Sequence, residues 1–109
     1  MPIPNNTIGT DKDVYFTERF KTLVRSEKEL LVRTASSTSL LEQHVLWAYR
    51  NDFYRLLRYY GIPSHLWWVT AYINGIENPM QDISKMVAFL RPDESTLSNA
   101  IARSNTVQG

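Results

Sequence analysis

The chain has 109 residues, 43% of them hydrophobic and 21% charged, which is the size and mixture of one globular domain burying roughly two-thirds of its unfolded surface. Lys and Arg number 12 against 11 Asp and Glu, so no general electrostatic pull towards nucleic acid or an anionic membrane exists. Cysteine is absent, which excludes disulfides, thiolate metal sites and a cysteine nucleophile and fits a reducing cytoplasm.

The N-terminal MPIPNNTIGTDKD has no basic region followed by an apolar one, and no apolar run approaches the roughly 20 residues that span a bilayer, so neither export nor membrane insertion is expected. Residues 1–12, with Pro2, Pro4 and Gly9, read as an extended arm. Over 13–36 two patterns compete. Phe16, Phe20 and Leu23 approximate helical spacing, while Val14 to Phe16 and Leu30 to Val32 are apolar runs flanking the charged RSEKE. A β-hairpin-like excursion is the favoured reading. SSTS at 36–39 reads as a polar loop.

Leu41, Val45, Trp47 and Tyr49 share one parity and Glu42 and His44 the other, so a first core strand is expected from Glu42 to Ala48. Asn51 or Asp52 can then cap a helix whose Phe53, Leu56, Leu57 and Tyr60 recur on one face before Gly61. Pro63 or Ser64 opens a second helix through Leu66, Trp67, Trp68, Val69, Ala71, Tyr72 and Ile73, stopped by Gly75. Met86 to Leu90, ended by Pro92, suits a second strand. Asp93 to Ser95 can cap a short terminal helix over 93–103 carrying Leu97, Ala100 and Ile101, and 104–109 reads as a tail. No internal repeat is visible.

The expected order is β-α-α-β, an α+β arrangement in which two antiparallel strands are covered on one face by a helical pair. Burying Trp47, Trp67 and Trp68 would contribute on the order of ten kcal/mol before entropy is subtracted, so loss of any one is expected to unfold the domain. The second helix is apolar on nearly all sides and needs cover from residues 13–35 or from another protein.

The run FYRLLRYYG, then LWWVTAYINGIENP, then MVAFLRP resembles the LysM fold, and more narrowly the LysM-like baseplate wedge proteins of contractile-tailed bacteriophages. The residues that carry the resemblance are Tyr59, Tyr60 and Gly61, Leu66 to Val69, Asn74 to Ile76, Asn78 and Pro79, and Leu90 to Pro92, within a core of 40–92. Where the family usually has a Pro-Gly turn before its last strand, this chain has Ser84 and Lys85. The resemblance implies a single LysM-like domain over 13–103 with an N-terminal extension. It also implies a non-catalytic structural protein joining the baseplate wedge to the tail tube or hub, near the sheath, in six copies around the tail axis. Its location would be the virion, after a period in the host cytoplasm.

The residues expected to meet a partner are Tyr54, Arg55, Arg58 and Tyr59, opposite the apolar face of the first helix, together with Trp68 and Tyr72. Tyrosine and arginine are characteristic of interface hot spots, although Arg50 and Arg55 also suit a solvated face. Trp67 and Trp68 point about 100° apart, so one ring packs in the core while the other can reach outward. The alternative is a peptidoglycan-binding LysM module with Tyr49, Asn51, Asp52, Ile76 and Asn78 along a glycan groove.

Other chemistries have less to build on. Arg50, Arg55 and Arg58 with interleaved tyrosines permit a nucleic-acid reading, but no binding motif accompanies them. His44 and His65 are the only imidazoles; Ser64 and His65 are chain neighbours rather than an opposed pair, and Asp93 with Glu94 suits a helix cap. Glu42 and His44 are two ligands at most, and no glycine-rich phosphate loop occurs. Catalysis, cofactors, nucleic acid and membranes are therefore not expected.

Overall fold

The computed structural model describes residues 17–38 and 40–108, with side chains placed as far as Arg103. The arm at 1–12 and residues 13–16 lie outside the described residues. The described chain is helix-rich around one small antiparallel sheet: α1 (Glu18–Ser26), α2 (Lys28–Thr34), β1 (Ser36–Ser37), α3 (Gln43–Ala48), α4 (Phe53–Tyr59), a 3-10 turn (Ser64–Leu66), α5 (Trp67–Ile73), β2 (Leu90–Arg91) and α6 (Glu94–Gln108).

The hairpin expected before residue 36 is instead the helical pair α1–α2. Thr17 caps α1, its hydroxyl accepting from the Phe20 N–H at 3.1 Å, and Phe20, Val24 and Leu31 share a buried face across both helices. RSEKE is not a hairpin turn but the elbow itself: the Glu27 N–H closes α1 on the Leu23 and Val24 carbonyls, and its carbonyl begins α2 by accepting from Leu31. The Leu, Lys, Arg and Glu that dominate this stretch are good helix formers, and with a core to pack against their preference prevails over the short apolar runs.

The expected strand at 42–48 is the helix α3. Leu41, Val45 and Tyr49 are four apart, a spacing that satisfies a strand's parity and a helix's face equally, but Leu46 is buried beside Val45, which a strand with one face in the core would not allow. Trp47, read as inward, is 62% exposed. The first strand lies earlier, in the serines read as a loop. Ser36 pairs with Arg91 and Ser37 with Leu90, and the alignment continues as the Thr38 N–H donates to the Phe89 carbonyl and Leu41 to Val87. The expected second strand at 86–90 is correspondingly reduced to Leu90–Arg91.

The helical pair falls where the caps and glycines placed it. Of Asn51 and Asp52, the cap is Asp52, whose Oδ1 accepts from the Arg55 N–H at 3.2 Å. Phe53, Leu56 and Leu57 are fully buried. Gly61 at φ 80° turns the chain so that the Ile62 N–H reaches the Leu57 carbonyl, and Gly75 at φ 74° does the same for Ile76 and Ala71. Asp93 caps α6, accepting from the Thr96 N–H at 3.0 Å, and α6 runs on to Gln108, so 104–108 continue the helix rather than forming a tail. One apolar core joins α1–α2, the helical pair, Phe89 and Leu97, and Arg103 of α6 donates to Glu27 at the elbow at 2.7 Å.

Candidate interaction surface

A line of aromatic rings runs from the core to the surface. Phe53 meets Phe89 edge-on at 6.0 Å, Phe89 meets Tyr60 at 6.1 Å, Tyr60 meets Tyr59 at 5.0 Å and Tyr59 meets Tyr49 at 6.2 Å. Phe53 is fully buried whereas Tyr59 is 51% exposed, so the outer rings are braced from behind by rings packed in the core. The Tyr60 hydroxyl accepts from the Glu42 N–H at 3.2 Å, which ties α4 to the start of α3.

At the other end of α3 the Arg50 guanidinium lies 4.1 Å from the centroid of the Trp47 ring and donates to the Trp47 carbonyl at 2.8 Å. The arginine is thereby fixed against the exposed indole rather than free in solvent. Arg50 also anchors the following loop, its carbonyl accepting from the Ile83 N–H at 2.8 Å. Leu40, Met80 and Val87 add exposed apolar side chains elsewhere on the same core.

The six residues expected to meet a partner divide into two groups. Arg55, Arg58 and Tyr59 are exposed, with Arg55 Nε 3.5 Å from the Asp52 carboxylate. Tyr54, Trp68 and Tyr72 are half-buried within the chain. Tyr54 stacks on Trp67 at 5.6 Å, and burial raises its phenol pKa; the Trp67 Nε1–H donates to the Ile62 carbonyl at 2.8 Å. Trp68 and Tyr72 stack on each other at 5.3 Å beneath Lys21, Arg25 and Lys28. The cover that the second helix requires is thus supplied by α1–α2.

The two loops expected to line a glycan groove do meet. The Asn51 amide donates to the Met80 carbonyl at 3.3 Å, and the Phe53 N–H donates to the Pro79 carbonyl at 2.8 Å. Their polar atoms are largely spent on each other, however. Asp52 caps α4, Asn78 Oδ1 accepts from the Met80 N–H, Ile76 is buried and Tyr49 is half-buried against Tyr59. A separate cleft of about 550 Å³ lies against β1, lined by Thr38, Leu40, Tyr60 and Phe89 among others. Its Thr38 hydroxyl already accepts from the Phe89 N–H.

Trp47 and Arg50 are not among the expected partner contacts, because a strand at 42–48 turns Trp47 inward and leaves Arg50 as ordinary surface charge. The signal that places Trp47 outside is the Val45-Leu46 pair, which fits a helix and not an alternating strand. His44 Nε2 lies 3.8 Å from the Glu42 carboxylate and His65 Nε2 3.5 Å from that of Glu94. Among the described residues no group of three His, Asp or Glu side chains could hold a metal ion, and no helix is long and apolar enough to cross a membrane. No family model, curated protein or solved structure matches the chain.

Proposed function

We propose that this chain is a non-catalytic structural adaptor of a contractile phage tail baseplate, joining wedge to tube or hub through protein–protein contacts. The observation that carries the reading is the exposed Trp47, clamped by Arg50 at 4.1 Å, together with Tyr59, held from behind by Tyr60 and the core. Tryptophan, tyrosine and arginine dominate interface energetics, and rings already locked in place lose little entropy when a partner covers them. The Trp47 ring is 62% exposed and so keeps most of its apolar surface for a partner to cover.

The LysM-like reading of the core is supported by its two turns, where glycines at positive φ follow Tyr60 and Asn74, the positions of the family's motif. The two antiparallel segments bracket three helices, α3, α4 and α5, one more than the expected β-α-α-β order. The segment beside 87–91 is Ser36–Thr38 with Leu41, not the expected strand at 42–48. In this reading the wedge, tube or hub and sheath proteins are the neighbours, six copies surround the tail axis, and the location is the virion. Complementing a phage that lacks this protein tests it. The wild-type chain is expected to restore complete baseplates and a Trp47→Ala, Tyr59→Ala double variant to fail despite folding normally; complete baseplates without the protein would refute the role.

The meeting of the loops at 49–52 and 75–79, through Asn51 with Met80 and Phe53 with Pro79, favours one second reading, a peptidoglycan-binding module. Retention on purified peptidoglycan, released by free muropeptide, would select it.

A further inference from the structure

The elbow between α1 and α2 carries cations that no carboxylate of the described residues neutralises. Among the described residues Glu18 pairs with Lys21 at 3.6 Å and Glu27 with Arg103 at 2.7 Å, while Arg25, Lys28 and Arg33 have no carboxylate within ion-pair distance. These three surround a shallow groove of about 640 Å³, completed by Ser26, Glu29 and the exposed Val32. Two of them are held in place from beneath: the Arg25 guanidinium lies 5.9 Å from the centroid of Trp68 and the Lys28 ammonium 5.0 Å from that of Tyr72. A cation resting on a ring face keeps its other side towards solvent, already partly desolvated and positioned for an anion.

We infer that this elbow is a second docking surface, which takes an acidic segment of a partner protein, its carboxylates on Arg25, Lys28 and Arg33 and an apolar side chain on Val32. Charge complementarity supports the choice: three cations face one carboxylate, that of Glu29, in a chain whose net charge is only +1. Three cations around an apolar contact fit a short peptide better than a phosphate backbone, whose binders neutralise about 6–10 phosphates along a track. The inference does not depend on the Trp47 face, which is built on other elements, yet it would give an adaptor the second surface that joining two neighbours requires.

The test is a titration of the isotope-labelled full chain with a blocked hexaglutamate peptide, followed by NMR. Amide shifts are expected over residues 25–33 and not around Trp47, weakening severalfold as salt rises from about 0.05 to 0.3 M. Arg33→Glu, whose side chain is exposed and far from the core, should weaken binding by about fivefold or more at an unchanged melting temperature, and Glu29→Gln should tighten it. Absence of shifts at the elbow, equal binding by Arg33→Glu, or displacement of the peptide by a lower concentration of oligothymidylate would overturn the proposal. Each of these outcomes leaves the Trp47 reading where it stands.

Discussion

The side-chain amide of Asn74 hydrogen-bonds both backbone groups of Leu90, Nδ2 donating to the carbonyl at 2.9 Å and Oδ1 accepting from the N–H at 2.7 Å. Phe89 turns its carbonyl to Thr38, so Leu90 faces the other way, and Asn74 offers it the donor and acceptor that a third strand would have supplied. One residue at the end of α5 thereby closes the outer edge of β2 and ties the helical pair to the sheet.

Replacing Asn74 with Ala leaves both groups of half-buried Leu90 unpaired, and the expected cost is about 2–3 kcal/mol in urea unfolding. Asp at the same position keeps the acceptor but loses the donor, and its charge sits at a helix C-terminus, so it should not rescue. A loss below about 0.5 kcal/mol for Asn74→Ala would show that water replaces the amide without penalty.

The three tryptophans are expected to differ in their contribution to stability. Trp47→Ala removes an exposed ring and should change unfolding free energy by about 0.5 kcal/mol or less. Trp67→Phe loses the hydrogen bond to the Ile62 carbonyl and part of the stack on Tyr54, and should cost about 1–2 kcal/mol. Parallel urea melts of the two variants check the order; a larger loss at Trp47 would contradict its surface placement.

Phe20 is 2% exposed and anchors α1 to the core. Phe20→Ala should cost about 3–5 kcal/mol. If the extension then lifts, Trp68 loses Lys21 and Arg25 from its face and becomes wetter, so emission should shift to longer wavelength before the main unfolding transition. A single transition with no early shift would mean that α1–α2 and the helical pair unfold as one unit.

Burial raises the pKa of the Tyr54 phenol above its ordinary value of 10.0. The unfolded chain therefore loses this proton first, and the contribution to stability, complete below the unfolded pKa, is lost as pH rises through the folded one. Tyr54→Phe keeps the ring on Trp67 and should flatten the alkaline fall of stability above about pH 10. Identical alkaline limbs for variant and wild type would exclude Tyr54 as a source of that dependence.

The helical pair was legible because its signals are local. Asp52 caps, Gly61 and Gly75 tolerate positive φ, and Phe53, Leu56 and Leu57 repeat at helical spacing. The extension was not, because Phe20, Val24 and Leu31 reveal their common face only when two helices meet at the Glu27 elbow. Of the candidate surface, Tyr59, Arg55 and Arg58 were readable as the outer face of α4. Trp47 was not, since a four-residue spacing from Leu41 to Tyr49 fits both a strand and a helix. Tyr54, Trp68 and Tyr72, also expected as partner contacts, are half-buried against other parts of the chain.

The sequence by itself determined where the central helices begin and end, because caps and glycines act within a few residues of backbone. Only the tertiary structure decided that two serines form a strand and that Asn74 seals its partner. It also decided that one tryptophan faces solvent while another lies under two cations. Those outcomes depend on which distant groups arrive beside a side chain, and neither hydrophobic period nor local propensity contains that information.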